Sequence, residues 1–232
     1  MLRAMRVAAL VVGAGRGERL AREEPKAFVL LAGRPLIAHA IETLASVAAI
    51  ERVIPVVPPD WCGEVAVRLG ALARHPKLAA PVPGGATRQD SVRAGLAALG
   101  DDVALVAVHD AARPLLRAQD AARVVAAATK TGAAILAVPV RDTIKQARAG
   151  AVVATPPRDE LFAAQTPQVF RREWLQEALA KAAAEGRLGT DCAELVEALG
   201  VRVELVEGDP GNWKVTDAGD LERARQVLEG RE

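Results

Sequence analysis

Six short apolar runs, at residues 7–12, 53–57, 78–82, 103–108, 133–138 and 201–206, alternate with segments whose apolar residues recur at helical spacing. No other feature of the sequence narrows the fold so far. Strands of nearly unbroken Val, Ala and Leu are buried on both faces, and when they alternate with helices they form parallel sheets covered on both sides. The predicted helices are Pro35–Val47, Ser91–Leu99, Ala118–Lys130 and Arg171–Glu185. Two more follow: one capped by Thr190 or Asp191 that runs to Leu199, and one capped by Thr216 that runs to Leu228. The reading is a single α/β domain over 1–232, Rossmann-like, with a mainly parallel sheet between two helical layers. With 232 residues and 51% hydrophobic composition, the chain can fill such a core.

Residues 139–158 break the pattern. They are too long for a strand-to-helix loop and too rich in Pro and Gly for a helix. Thr143–Gln146 and Val152–Thr155 flank the turn Arg148-Ala149-Gly150, which predicts a projecting β-hairpin. An isolated hairpin is marginal in water, so a second copy of the chain is the expected surface for it to pack on.

In parallel sheets ligands bind beyond the carboxyl ends of the strands. The first such loop is Gly13-Ala14-Gly15-Arg16-Gly17-Glu18-Arg19, closed by Pro25-Lys26. Glycines let backbone N–H groups approach an anion, and Arg19 and Lys26 add positive charge, as a nucleotide polyphosphate requires. The loop is not a P-loop, because Glu18 rather than Lys follows Gly17 and no hydroxyl follows Lys26. It is not a dinucleotide fingerprint either, because the third glycine falls at the wrong spacing. Gly84-Gly85-Ala86-Thr87-Arg88-Gln89-Asp90-Ser91 repeats the same physics at a helix start. His109-Asp110, Arg113, Arg158, Thr166-Pro167-Gln168 and Asn212-Trp213-Lys214 complete the candidate rim.

Taken in order, these segments resemble the 2-C-methyl-D-erythritol 4-phosphate cytidylyltransferase family of the non-mevalonate isoprenoid pathway. The signatures are Ala14–Arg19, Pro25-Lys26, Gly84–Ser91, Val108–Pro114, Pro139–Thr143, Thr166–Gln168 and Lys214–Thr216. The resemblance implies the nucleotide-diphospho-sugar transferase type of fold, with the hairpin as a dimerisation arm. It implies transfer of CMP from CTP to 2-C-methyl-D-erythritol 4-phosphate with Mg²⁺, releasing pyrophosphate. Arg19, Lys26 and Lys214 would be catalytic. Ala14, Gly15, Gly17, Gly84, Gly85, Arg88, Ser91, Asp110 and Ala111 would bind CTP. Asp110, Arg113, Thr143, Arg158, Thr166 and Lys214 would bind the alcohol phosphate, with Arg113 and Thr143 acting across a homodimer. Asp110 is the protein's candidate Mg²⁺ ligand, although the metal could bind through CTP alone. Gly13 stands where many members carry Ala, a change the loop should tolerate, and Ala86 stands where some carry Asp near the base.

The chemistry is consistent with the residues alone. A phosphate monoester is already ionised at neutral pH, so its attack on a nucleotide needs positioning and positive charge rather than a strong base. Six cations (Arg19, Lys26, Arg88, Arg113, Arg158 and Lys214) fall in the site segments. His109 and His39 read as packing residues, His75 has no cluster around it, and Cys62 and Cys192 read as free thiols. The net charge of +1 argues against a nucleic-acid partner. The lack of a long uncharged apolar run or a cleavage-type leader predicts a cytoplasmic protein that does not span a membrane. Three alternatives stay open: a cytidylyltransferase for ribitol 5-phosphate or another sugar-phosphate pyrophosphorylase, a non-catalytic nucleotide sensor, and a dehydrogenase, which the incomplete fingerprint disfavours.

Overall fold

The computed structural model describes residues 5–15 and 24–230. The chain opens with β1 (Arg6–Val12), a small hairpin of β2 (Leu30–Leu31) and β3 (Arg34–Pro35), α1 (Leu36–Ser46) and β4 (Ile50–Val57). It continues through α2 (Val65–Leu69), β5 (Val82–Pro83), α3 (Arg88–Ala97), β6 (Val103–Asp110), α4 (Ala118–Thr131) and β7 (Ala133–Pro139). Then come β8 (Gln146–Arg148), β9 (Ala151–Ala154), β10 (Phe162–Arg171), α5 (Arg172–Ala184), α6 (Cys192–Glu197), β11 (Glu204–Glu207) and α7 (Ala218–Glu229). Among the described residues, no helix is long and apolar enough to cross a membrane.

Seven strands form the central sheet in the order β11-β7-β10-β6-β1-β4-β5. β6, β1, β4 and β5 pair in parallel, as do β11 and β7. The strand pleat explains the two helical layers. Val7, Ala9 and Val11 of β1 point into a core with Ile37 and Leu44 of α1 and Val124 and Val125 of α4. Ala8 and Leu10 point the other way, toward Val92 and Leu96 of α3, Leu175 and Leu179 of α5, and Leu195 of α6. Both sets are buried, as the unbroken apolar run predicts. A third cluster seats α7 through Leu221 and Ala224 against Leu31, Leu36, Leu115 and Val215.

The parallel sheet carries an unpredicted member. β10 runs antiparallel between β6 and β7. Its sequence, Phe-Ala-Ala-Gln-Thr-Pro-Gln-Val-Phe-Arg, has a proline in the middle, and proline argues against a central strand because it lacks the N–H that the ladder needs. The structure resolves the conflict with a register shift between Ala164 and Gln168 in the β7 ladder, which spans Pro167. Smaller differences concern ends. Leu78 makes only a single bridge to Val53, so the expected strand at 78–82 shrinks to β5. The expected strand at 201–206 pairs only over β11. The cap of α7 is Asp217, whose side chain accepts from the Asp220 N–H, rather than Thr216.

The hairpin at 146–154 is present, and β8 and β9 pair only with each other. Ala149 and Gly150 both have positive φ, 48° and 80°, as a two-residue turn between right-twisted strands requires. All of its strand residues are exposed, including Val152 and Val153.

Candidate active site

The carboxyl ends of β1, β5 and β6 and the segment before α7 meet around a cleft of about 260 Å³. Ala14, Gly15, Lys26, Gly85, Arg88 and Ser91 line it, together with Asp110, Ala111 and Lys214. Gly84 packs beneath. A Cβ there would lie 2.3 Å from that of Ala14, so this glycine lets the two glycine loops touch. Gly13 has a similar role, and the glycine fits there as the sequence reading expects. A Cβ at Gly13 would meet the Ala27 Cβ at 2.8 Å and the Ala111 Cβ at 3.1 Å, so an alanine there would need these neighbours to give way.

Arg88 owes its position to a helix start. Thr87 caps α3 by accepting from the Asp90 N–H at 3.0 Å, and the Asp90 carboxylate accepts in return from the Thr87 N–H and hydroxyl. This capping box fixes the first helical residue, Arg88, at the rim. Ser91 is buried one turn on. Its hydroxyl donates to the Thr87 carbonyl and accepts from the Gly85 N–H at 3.2 Å, holding the second glycine loop in shape.

A second cleft of about 250 Å³ adjoins the first and shares Arg88, Asp110 and Lys214 with it. These three residues form the wall between them. Arg88 Nε donates to Asp110 Oδ1 at 2.9 Å, and Lys214 Nζ donates to Asp110 Oδ2 at 2.8 Å. Burial alone would raise the Asp110 pKa, but the two cations outweigh it and hold the carboxyl well below the usual range. Burial would likewise discharge Arg88, yet Asp110 keeps the guanidinium charged. Arg88 Nη1 also lies 3.4 Å from the sulfur of Cys192, a buried free thiol whose pKa burial pushes up.

Thr166 lines the second cleft from β10. Its Oγ1 accepts from the Asp110 N–H at 3.1 Å and donates to His109 Nδ1 at 2.9 Å. His109 Nε2 faces the Arg113 carbonyl at 3.2 Å, and a carbonyl only accepts, so the ring proton sits on Nε2. Burial lowers the His109 pKa to about 4, so the ring is neutral at pH 7 and both nitrogens serve packing. Arg113, which the resemblance implied acts across a homodimer, lines this cleft of its own chain and donates to the Asn212 carbonyl at 2.7 Å and the Ala164 carbonyl at 3.2 Å.

Other sequence candidates are not in these clefts. Thr143 and Arg158 belong to the projecting segment and line neither cleft; Arg158 donates to the Arg141 carbonyl at 3.3 Å. Gly17 and Arg19 lie outside the described residues. Conversely, Thr190 and Asp191 line the second cleft although the sequence marked them only as helix caps. A capping residue and a lining residue have the same local signature, so only the tertiary fold separates them. As for a metal, no group of three or more His, Cys, Asp or Glu side chains converges among the described residues. Among those residues, Asp110 is the one carboxylate lining the first cleft. That donor set fits Mg²⁺ held mostly by phosphate oxygens and water, with one protein carboxylate.

The sequence profile described as IspD, 2-C-methyl-D-erythritol 4-phosphate cytidylyltransferase, matches residues 7–230. The 2-C-methyl-D-erythritol 4-phosphate cytidylyltransferase of Pelotomaculum thermopropionicum is 44% identical over 235 residues, covering 98% of this chain and 96% of that protein. The crystal structure of 4-diphosphocytidyl-2C-methyl-D-erythritol synthase from Anaerococcus prevotii is similar with a TM-score of 0.87 at 26% identity, covering 98% of this chain and all of that one. The 2-C-methyl-D-erythritol 4-phosphate cytidylyltransferase from Thermus thermophilus gives a TM-score of 0.79 at 34% identity, covering 97% and 100%. By sequence and by fold, the chain belongs to the 2-C-methyl-D-erythritol 4-phosphate cytidylyltransferase family, the nucleotidyltransferases that carry out CTP-dependent cytidylyl transfer in isoprenoid biosynthesis.

Proposed function

We propose that CTP occupies the cleft between the two glycine loops, that 2-C-methyl-D-erythritol 4-phosphate occupies the adjoining cleft, and that they react across the Arg88–Asp110–Lys214 bridge. The bridge is the observation that carries this reading, because it lies in the shared wall of two clefts otherwise lined by different elements. A phosphate oxygen of the alcohol phosphate forms a bond to the α-phosphorus of CTP. The bond from that phosphorus to the α–β bridging oxygen breaks, and pyrophosphate leaves. No base is needed, since the nucleophile is already an anion; the barrier is charge repulsion and orientation.

Backbone groups of Ala14, Gly15, Gly17, Gly84, Gly85 and Ala111 hold the nucleotide, with Arg88 and Ser91 fixing the loop that faces the base and ribose. Arg19 and Lys26 supply positive charge for the triphosphate, and Lys214 stabilises charge on the transferring phosphorus. Asp110 orients Arg88 and Lys214 and offers Mg²⁺ its one protein carboxylate. When bound, the ion neutralises phosphate oxygens and so lowers repulsion toward the incoming anion. Arg113 and Thr166 hold the alcohol phosphate. Thr143 and Arg158, which line neither cleft of their own chain, complete the site of a neighbouring copy in a homodimer joined through the hairpin. The exposed Val152 and Val153 support that pairing.

The test is pyrophosphate release with Mg²⁺, 2-C-methyl-D-erythritol 4-phosphate and each of CTP, UTP, ATP and GTP. CTP should be strongly preferred. Release with ribitol 5-phosphate at the same rate, or none with CTP, overturns the reading.

A further inference from the structure

Lys214 stands on an irregular stretch between β11 and α7, yet its ammonium is aimed at Asp110. Asn212, two residues earlier, is 1% exposed and sits among groups of the second cleft. Its Nδ2 donates to the Thr166 carbonyl at 3.0 Å and to Gln165 Oε1 at 3.2 Å. The Thr166 carbonyl only accepts, which fixes the amide's orientation. Gln165 is fixed in turn, because its Nε2 donates to the Asp209 carbonyl at 2.8 Å. Asn212 also serves through its backbone, where its carbonyl accepts from Arg113. A ring of contacts therefore runs from Asn212 through Thr166 to the Asp110 N–H, and from the Asp110 carboxylate to Lys214. Beyond Lys214, the Val215 N–H donates to the Ala112 carbonyl at 2.8 Å, and the Val215 side chain is fully buried.

We infer that Asn212 is a positioning residue for the transfer step: it ties the stretch carrying Lys214 to β10, so that Lys214, Thr166 and Arg113 keep one geometry around the alcohol phosphate. Burying a polar side chain inside a protein costs free energy unless its hydrogen bonds are made. Here both amide protons are spent on β10, while the buried Oδ1 has no partner among the described residues, and that cost is set against a fixed lysine. The inference rests on the role proposed above for Lys214.

The experiment is a double-mutant cycle of Asn212→Ser and Lys214→Ala, with kcat, KM for the alcohol phosphate and CTP affinity measured for each. Asn212→Ser should lower kcat at least about tenfold while CTP affinity changes less than about twofold. In the Lys214→Ala background the same substitution should cost less than about twofold, because its effect passes through the lysine. Asn212→Asp should be worse than Asn212→Ser, since its carboxylate meets two acceptors. Gln165→Met removes the same anchor from the other side and should reproduce the pattern, which covers a misfolded Asn212 variant. Equal losses in both backgrounds, or a fully active Asn212→Asp, overturn the inference while leaving Lys214's own role intact. Near-normal turnover of Lys214→Ala alone overturns the role on which the inference rests.

Discussion

Asp110 faces two cations, and the balance of charge around it decides what a substitution does. Asp110→Asn keeps the shape but leaves Arg88, largely enclosed, without its counter-charge and frees Lys214 from its anchor. Removing one member of such a buried pair costs roughly 3 kcal/mol. The cleft also becomes more positive, which favours a bound polyphosphate. Asp110→Asn should therefore lower kcat by at least about a hundredfold, while CTP binding measured without Mg²⁺ is not weakened, and calorimetric titration beside initial rates checks both. A variant that binds CTP poorly but turns over normally would contradict the bridging role. Asp110 and Arg88 were legible in the sequence because one ends a strand and the other opens a helix, where the parallel-sheet rule points, and Lys214 because its motif leads into the last helix. The close packing around Gly13 is not legible in the sequence, because a glycine before a loop looks merely permissive there. The two methyl groups it faces, Ala27 and Ala111, come from distant segments. Asn212 was visible only as part of a motif, since nothing local marks which asparagine will be buried against a strand about 46 residues earlier.

At the level of elements, the parallel core was legible because burial on both faces leaves a periodicity of its own. β10 was not, because Pro167 and the polar Gln165, Thr166 and Gln168 contradict every local strand signal. Those polar side chains are buried for the site and for α6: Gln168 accepts from the Cys192 N–H at 3.1 Å and donates to Asp191 at 2.7 Å. Function has overridden propensity there. α3 shows the converse, a helix with a local flaw that serves packing. Gly95 lies mid-helix, where alanine is normally the better residue by about 1 kcal/mol. A Cβ on Gly95 would approach Leu10 at 2.9 Å and Val56 at 3.1 Å, both in the closed core under the sheet. Gly95→Ala should therefore destabilise the protein by roughly 1–3 kcal/mol and displace Arg88 at the helix start. Urea denaturation and kcat would fall together, whereas a rise in stability would show that α3 can shift freely.

Across the whole molecule, pH and assembly test different parts of the account. Burial lowers the pKa of His109 to about 4 and shifts that of His39 down as well. A histidine kept neutral by the fold takes up its proton more readily when unfolded, so stability is full above the ordinary value near 6.5 and falls as pH drops toward the folded-state value. Between about pH 7 and pH 5 the protein should lose on the order of 2 kcal/mol, with the lowered carboxylates contributing only at more acidic pH. Denaturant midpoints across that range, repeated with His109→Gln, check the sign; a flat profile in the parent protein would contradict a neutral buried His109. Assembly is tested by sharing. If Arg158 completes the site of a neighbouring copy, strongly impaired Lys214→Ala and Arg158→Ala chains carry complementary defects. In a mixed dimer, one site loses both residues and the other keeps both. Random exchange makes half the dimers mixed, each with one working site of two, so activity should recover to about a quarter of the parent value. The recovery should disappear when Val152 and Val153 are both replaced by Lys, because charge at the hairpin contact opposes pairing, and sedimentation should then report monomers. If instead Arg158 serves its own chain, each chain lacks one required residue in every combination, and mixing restores nothing.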